Sequence, residues 1–514
     1  MTRSDNDAVR TWTQWYEQCA SAVTGAAEDI HKLDSFVWPA SVSILEGSAV
    51  FLARSGNASA LAVAGENALG FEGGSFGSGE KRIWICPLTH KNADRLREVF
   101  PYTAPRPLGS DGASFGTGDR LGIATPGHVR AVRNYKAAPV FAQQSLRELN
   151  LTGRTYADAI DSATWAVFQE GFRGPWGADG DHLMTPGWVK KALAMGCTMI
   201  TADLSEHIRS EYAAGSAGEV ISAYNNLDWE LRERYDREYL QLSAALDTGY
   251  TVRFTRESLA RCVLIYGDAV AFAQELYEAG KEVARNFDFE ISVDETDTPT
   301  LPEANFFTAR ELEKRGVAFT SLAPRFIGKF QKGIDYIGDV DSFDRDFKIH
   351  AAIARYFGYK LSIHSGSDKF SVYPSIGRHT RGNVHVKTSG TSWLEAMRVI
   401  AECDPGVYRR LHAYAERVFP VAREYYVITP DRSACLDIEE IGDDELGRVF
   451  ENPHNRQVLH VSYGEMLKNR DIRTALYETL GENIEFYWKE TGSHIEKHLK
   501  LLGLSEEDKH DRFV

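Results

Sequence analysis

Asp288-Phe289-Glu290-Ile291-Ser292-Val293-Asp294 alternates polar and apolar side chains without a break. Lys360-Leu361-Ser362-Ile363-His364 and Asn383-Val384-His385-Val386-Lys387 do the same. Successive side chains of a strand point to opposite faces, so each segment presents one apolar and one polar face. The apolar faces, led by Phe289, Ile291 and Val293, are expected to meet helices. The opposite faces then carry Asp288, Glu290, Ser292, Asp294, Lys360, His364, His385 and Lys387 inward. A barrel interior is ordinarily filled with branched apolar residues. Charges there are costly unless they pair with one another or surround a metal. The alternative to a chemical site is a buried ion network that only fixes geometry.

Outward from these three segments, short strand-like runs alternate with amphipathic helical stretches. The runs are Leu121–Ala124, Val140–Gln144, Trp176–Asp179, Cys197–Ala202, Phe287–Glu295, Val317–Leu322, Lys360–His364 and Asn383–Lys387. Thr125-Pro126 and Thr185-Pro186 each offer a Thr cap with Pro at the first helical position. Eight strand–helix units predict an α/β fold, a (β/α)8 TIM-like barrel, with a doubly wound open sheet as the alternative. The expected layout has a small N-terminal α/β segment over 1–112 and the barrel over 113–400. A helical insertion falls at about 205–285, and a helical C-terminal cap covers 401–514. The N-terminal segment should contain a helix near Asp7–Val23 and strands at Ser41–Leu45, Ala60–Val63 and Arg82–Cys86. Gly70–Gly79 is followed by no GK[ST] and contains no GxGxxG opening a helix, so it reads as a surface loop.

The chain has 514 residues, with 58 Lys and Arg against 73 Asp and Glu, a formal net charge of −15. Such a surplus of acid argues against nucleic-acid partners and against an anionic membrane surface. A small anionic substrate remains compatible where local cations receive it. The six cysteines are scattered with no CxxC pair, which suits reduced thiols in a cytoplasmic protein. No stretch approaches 18 consecutive apolar residues, and the first residues lack an apolar leader core.

The loops after the strands narrow the chemistry. Asp181-His182 follows the third run, where a barrel carries its active groups. His182 could bind a divalent metal through neutral imidazole with His364 as a second ligand, leaving Asp181 as a candidate base. A solvated turn is the bland alternative for an Asp-His pair in a loop. Arg325, Lys369 and Lys387 are cations able to receive a carboxylate. Lys387 on an inward face could instead form a Schiff base. Thr125, Gln143, Ser365 and Asp368 add polar groups for hydroxyl recognition. His350 reads as structural, His207 as a helix-surface residue and His379 as exposed.

The segments FGTGDRLGIATPGH (115–128), GADGDHL (177–183), FEISVDET (289–296), PRFIGKFQKGIDYIGD (324–339), KLSIHSGSDKFSVYP (360–374) and NVHVKTSGTSWLEA (383–396) resemble the tagaturonate/fructuronate epimerases. Their order and co-occurrence across about 115–400 carry the resemblance. It implies a metal-dependent hexuronate epimerase acting on a ketohexuronate, with Mn2+, Zn2+, Ni2+ or Fe2+ as the ion. By position, Asp181 resembles the proton acceptor and Glu290 the donor. His182 and His364 resemble metal ligands, with Gln331 as a third that Asp294 or Glu295 could replace. A homo-oligomer is compatible with the sequence. The inverted carbon lies β to the ketone, so its C–H is not acidified. A retro-aldol and re-addition route therefore stands beside direct deprotonation. The other readings are a metal-dependent ketose aldolase or isomerase, a glycoside hydrolase built on Glu290, and a non-catalytic sugar-acid-binding protein.

Overall fold

A computed structural model describes residues 37–55, 58–78, 82–294, 296 and 298–505. The expected helix near Asp7–Val23 and the alternative ligand Glu295 lie outside them. The chain first forms β1 (Ser43–Leu45), β2 (Ser48–Ser55), β3 (Ala58–Ala64), β4 (Gly74–Phe76) and β5 (Ile83–Cys86), an antiparallel sheet in the order β1-β2-β3-β5-β4. The Gly-rich stretch read as a loop thus supplies the edge strand β4. At Gly73 a Cβ would lie 2.2 Å from the Ile85 carbonyl oxygen, a contact only glycine avoids.

Eight parallel strands then close a barrel: β6 (Ala113–Gly116), β7 (Ala137–Ser145), β8 (Gly177–Leu183) and β9 (Met199–Asp203) come first. After the hairpin β10 (Ser243–Ala245) and β11 (Thr251–Arg253), β12 (Asp288–Val293), β13 (Ser321–Pro324), β14 (Lys360–Ile363) and β15 (Val384–Lys387) complete it. β15 pairs with β6 to seal the ring. The alternation puts Phe289, Ile291, Leu361, Ile363, Val384 and Val386 in the apolar layer under the helices, each at most 1% exposed. Burying side chains of this size contributes roughly 1.5–3 kcal/mol apiece, and this layer holds the ring in register.

The first strand corrects the sequence reading, which placed it at Leu121–Ala124. That segment is a tight loop organised by Asp119, whose carboxylate accepts hydrogen bonds from Gly122 N at 2.7 Å, Ala124 N at 2.8 Å and Thr125 N at 3.0 Å. An Asp side chain that satisfies three nearby backbone donors competes with a strand ladder. Thr125 likewise does not cap its helix. Its hydroxyl donates to Asp119 at 2.9 Å, and Ala124 takes the cap position. Thr185 does cap Pro186–Ala194, accepting from Trp188 N. The stretch read as a helical insertion contains the β10–β11 hairpin and ends in the 26-residue helix Arg256–Lys281, which leads back to β12.

Beyond the barrel, the helices Thr391–Cys403, Pro405–Ala422, Pro453–Lys468, Arg470–Glu482 and Ile484–Leu501 follow one another. Trp393, Leu459, Tyr463 and Trp488 from these helices share one apolar cluster with Trp38, Val50 and Leu61 of the N-terminal sheet region. The N-terminal sheet and the C-terminal helices therefore pack together, along with Trp165 and Phe168 of the helix Tyr156–Gln169. Among the described residues no helix is long and apolar enough to cross a membrane.

Replacing Asp119 by Ala should strand several backbone N–H groups and cost about 3 kcal/mol. Urea unfolding checks this, and an unchanged midpoint would show that the loop does not depend on the carboxylate.

Candidate active site

The inward faces of the barrel strands stack polar groups in tiers. At the base, Asp288 accepts from Leu108 N at 2.6 Å and Gly109 N at 2.9 Å, while Ser114 lies 2.8 Å from His385 Nδ1. Burial pulls the Lys360 ammonium down to about 8 and the His385 imidazole down to about 3.

The middle tier is built on Lys387. Its ammonium, on a side chain 3% exposed, lies 2.9 Å from Asp179, 2.7 Å from Asp181 and 2.8 Å from Glu290. Glu290 also accepts from Ser321 at 2.6 Å and from Thr201 at 3.2 Å. Burial opposes ionisation of Asp181 and Glu290, yet the Lys387 charge wins and holds both carboxyls low. Asp179 is pushed up to about 6, because burial and its acidic neighbours outweigh the same lysine. The three carboxylates in turn hold Lys387 protonated against burial, well above the ordinary lysine value. A Schiff-base lysine needs a neutral amine, so this environment opposes that reading.

The upper tier opens into a cavity lined by Gln143, Ser145, Arg147, Glu148, Asp181 and His182, together with Asp294, Lys332, His364, Ser365, Lys387, Ser389 and Tyr426. Strict alternation would send Asp181 and His182 to opposite faces of β8. A bulge prevents this, because Gly180 pairs with Ile200 and Leu183 with Ala202, so two residues of β8 oppose one of β9. His182 takes the extra position at φ +57°, a left-handed conformation uncommon outside glycine. Both side chains consequently reach the cavity. His182 Nδ1 lies 3.5 Å from Asp203, and its ring centroid is 5.0 Å from that of His364. His364 Nε2 is 2.8 Å from Glu290, and its Nδ1 is 2.9 Å from Asp294. Burial opposes the charged imidazole of His364, but Asp294 and Glu290 overcome it and raise the group to about 10.

With that geometry in view, the relatives are informative. The sequence matches the profile described as tagaturonate epimerase over residues 38–502. A protein of Thermotoga maritima named tagaturonate/fructuronate epimerase is 43% identical over 460 residues, covering 88% of this chain and 94% of that one. The chain belongs to the tagaturonate epimerase family. Within it, crystal structures of the fructuronate-tagaturonate epimerase UxaE from Cohnella laeviribosi superpose with a TM-score of 0.88 at 43% identity. They cover 93% of this chain and 99% of theirs, for both the glycerol-complexed and the native forms.

The epimerase fold brings Gln143, Asp181, His182, His364, Ser365 and Lys387 to one cavity, with Glu290 directly beneath. It places the remaining sequence candidates elsewhere. Gln331, expected as a ligand, spends its amide oxygen on Thr429 N at 3.3 Å and Gln457 Nε2 at 2.9 Å. The alternative Asp294 is the group that reaches His364. Arg325 donates to the Thr296 carbonyl. Lys369 donates to three carbonyls, of Gln331, Ile334 and Ser367, and burial takes it down to about 7. Thr125 is tied to Asp119, as above. His350 is buried against Asn305 at 2.9 Å, as a structural histidine should be, whereas His379 is half-buried against Asp344 rather than exposed. His207 stacks on Phe272.

Asp368 joins a separate cluster. Asp368, His494 and His498 offer ligand atoms within 4.8 Å of one another. Arg456, however, already pairs with Asp368 at 2.9 Å, and His498 Nε2 accepts from Asp368 N at 3.0 Å, using the lone pair a metal would need. The cluster therefore works as an ion-pair clamp between the loop after β14 and the last helix. At His182 and His364, the carboxylates of Asp181, Asp203, Glu290 and Asp294 lie 2.8–3.7 Å from the two imidazoles, a mixed nitrogen and oxygen donor set of the kind that takes a divalent ion. Residues the sequence reading passed over include Asp203, Arg147 and Lys332. All three stand at or just beyond the C-terminal ends of barrel strands, a positional signal the sequence did carry.

Two outcomes are expected. At Gly116 a Cβ would lie 2.2 Å from Gln143 Oε1, so Gly116→Ala should displace that amide from the cavity. Turnover should fall on the order of tenfold to a hundredfold with the melting temperature little changed; kinetics and calorimetry check both. In the clamp, burial opposes the charged His494, but Glu395 and Asp368 raise it above its ordinary value of about 6.5. A raised pKa adds stability that is complete below the unfolded value and lost as pH climbs through the folded one. Wild type should therefore lose stability above about pH 6.5 along a slope that His494→Gln removes. Identical pH profiles for the two proteins would exclude the clamp.

Proposed function

We propose that this chain interconverts tagaturonate and fructuronate in the cavity at the C-terminal end of the barrel. The observation that carries the reading is the β8 bulge, which sets an acid, Asp181, beside two histidines in one polar chamber. Its 43% identity with a named epimerase over most of its length supports the substrate class. His182 and His364, with Asp294 beside His364, would hold a divalent cation. Such an ion supplies Lewis-acid polarisation of the substrate ketone when bound.

The chain's own residues perform the remaining work. The inverted carbon lies β to the ketone, so the bond that breaks most readily is the one between the α carbon and that hydroxyl-bearing carbon. Asp181, held ionised by Lys387, takes the hydroxyl proton. The carbon–carbon electron pair moves toward the carbonyl, giving an enediolate and an aldehyde. Rotation of the aldehyde exposes its other face, the same bond re-forms, and a proton returns to the new alkoxide. Glu290 shares Lys387 with Asp181 and touches His364, which suits it to exchange that proton from the opposite side. Gln143 and Ser365 meet hydroxyls of the substrate. The amide oxygen of Gln143 is buried and has no protein donor among the described residues.

Chelator-stripped protein incubated with fructuronate should yield tagaturonate only after Mn2+, Zn2+, Ni2+ or Fe2+ is restored, as followed by NMR. His364→Ala should lose the metal, whereas Glu290→Gln should keep it and lose turnover by a factor on the order of a hundred or more. Metal retained by His364→Ala, measured by mass spectrometry, would remove that residue from the ligand set. A cleaved three-carbon product accumulating without epimer would instead identify an aldolase.

A further inference from the structure

The cations expected to receive the substrate carboxylate are occupied or lie away from the cavity: Lys387 is enclosed by three carboxylates and Lys369 by three carbonyls, and Arg325 is not among the cavity residues. The cavity nevertheless carries two further cations. Lys332 lines it from the loop after β13, and Arg147 from the first turn after β7. Among the described residues the Lys332 ammonium has neither a hydrogen bond nor an ion pair. The nearby Glu148 attracts the ammonium without forming an ion pair with it, and its Oε1 is engaged by buried Arg120 at 2.8 and 3.0 Å. Arg147 gives one N–H to the Tyr425 carbonyl at 3.0 Å and lies 4.8 Å over the Tyr426 ring, which steadies the guanidinium. Its remaining N–H groups have no partner among the described residues.

Asp181 and Asp294 line the same cavity and repel a carboxylate. An unpaired, partly desolvated ammonium beside a rigidly stacked guanidinium is a receptor for an anion. We propose that Lys332 and Arg147 bind the carboxylate of the ketohexuronate, and so select uronates over neutral ketoses and orient the ketone toward His182 and His364. This deepens the proposed function and rests on it. The carboxylate and the ketone sit toward opposite ends of the substrate, so separate groups of one cavity can receive each. In a chain of net charge −15, a local positive rim is also what admits an anionic substrate.

The assignment is tested with Lys332→Met, Lys332→Arg and Arg147→Met. Lys332→Met should raise KM for fructuronate about tenfold or more and leave kcat within about threefold, a loss of ground-state binding. Lys332→Arg should restore most of it, and Arg147→Met should raise KM as well. Gluconate, a six-carbon hydroxy acid that offers no ketone, should bind wild type by calorimetry and bind Lys332→Met about tenfold more weakly. An unchanged KM and gluconate affinity in Lys332→Met, or a loss that arginine does not rescue, overturns the proposal. Wild type that binds gluconate through Lys332 but leaves fructuronate unchanged under every metal would overturn the epimerase reading and keep the carboxylate receptor.

Discussion

The buried ammonium of Lys387 is the interaction on which the barrel interior depends. It draws together Asp179 and Asp181 of β8 and Glu290 of β12 from its own place on β15, and so links strands that do not adjoin one another. Charges removed from water in this way are tolerable only when each has a partner and the remaining lone pairs are satisfied. Thr201 and Ser321 complete that requirement around Glu290 and Asp179. The same lysine sets the protonation of the acids above it, so the structural core of the barrel and the electrostatics of its mouth are one network.

On that base the molecule assembles a chamber that carries both acids and cations. The β8 bulge turns consecutive residues, Asp181 and His182, to the same side, where His364 and Asp294 meet them. In the same chamber, Lys332 and Arg147 add cations that form no ion pair among the described residues. A substrate with a carboxylate at one end and a ketone toward the other is complementary to such an arrangement. The C-terminal helices contribute by closure: Arg456 and His494 anchor Asp368, in the loop that follows His364.

Much of this was legible beforehand because alternation is a local property. The inward placement of Glu290, His364 and Lys387 follows from period two and nothing else. Seven of the eight barrel strands overlap the segments read from apolar runs. The first does not, since Ala113–Gly116 is short and poor in bulky apolar residues while Leu121–Ala124 imitates a strand. Only the reach of the Asp119 side chain to backbone donors up to six residues away distinguishes them. Arg325, Lys369 and Asp368 show a second kind of failure. A polar residue in a promising loop is equally able to tie down its own backbone or an adjoining helix.

The sequence alone determined the (β/α)8 architecture, the polar interior and the family, because periodicity and motif order survive without knowledge of contacts. Only the tertiary structure decided which cations are free and which acids share a proton-binding partner. A side chain's charge state and availability depend on what folds against it. Lys387, Lys369 and Lys332 are all lysines near the same barrel mouth, and they differ only in whether carboxylates, carbonyls or an open cavity surround the ammonium.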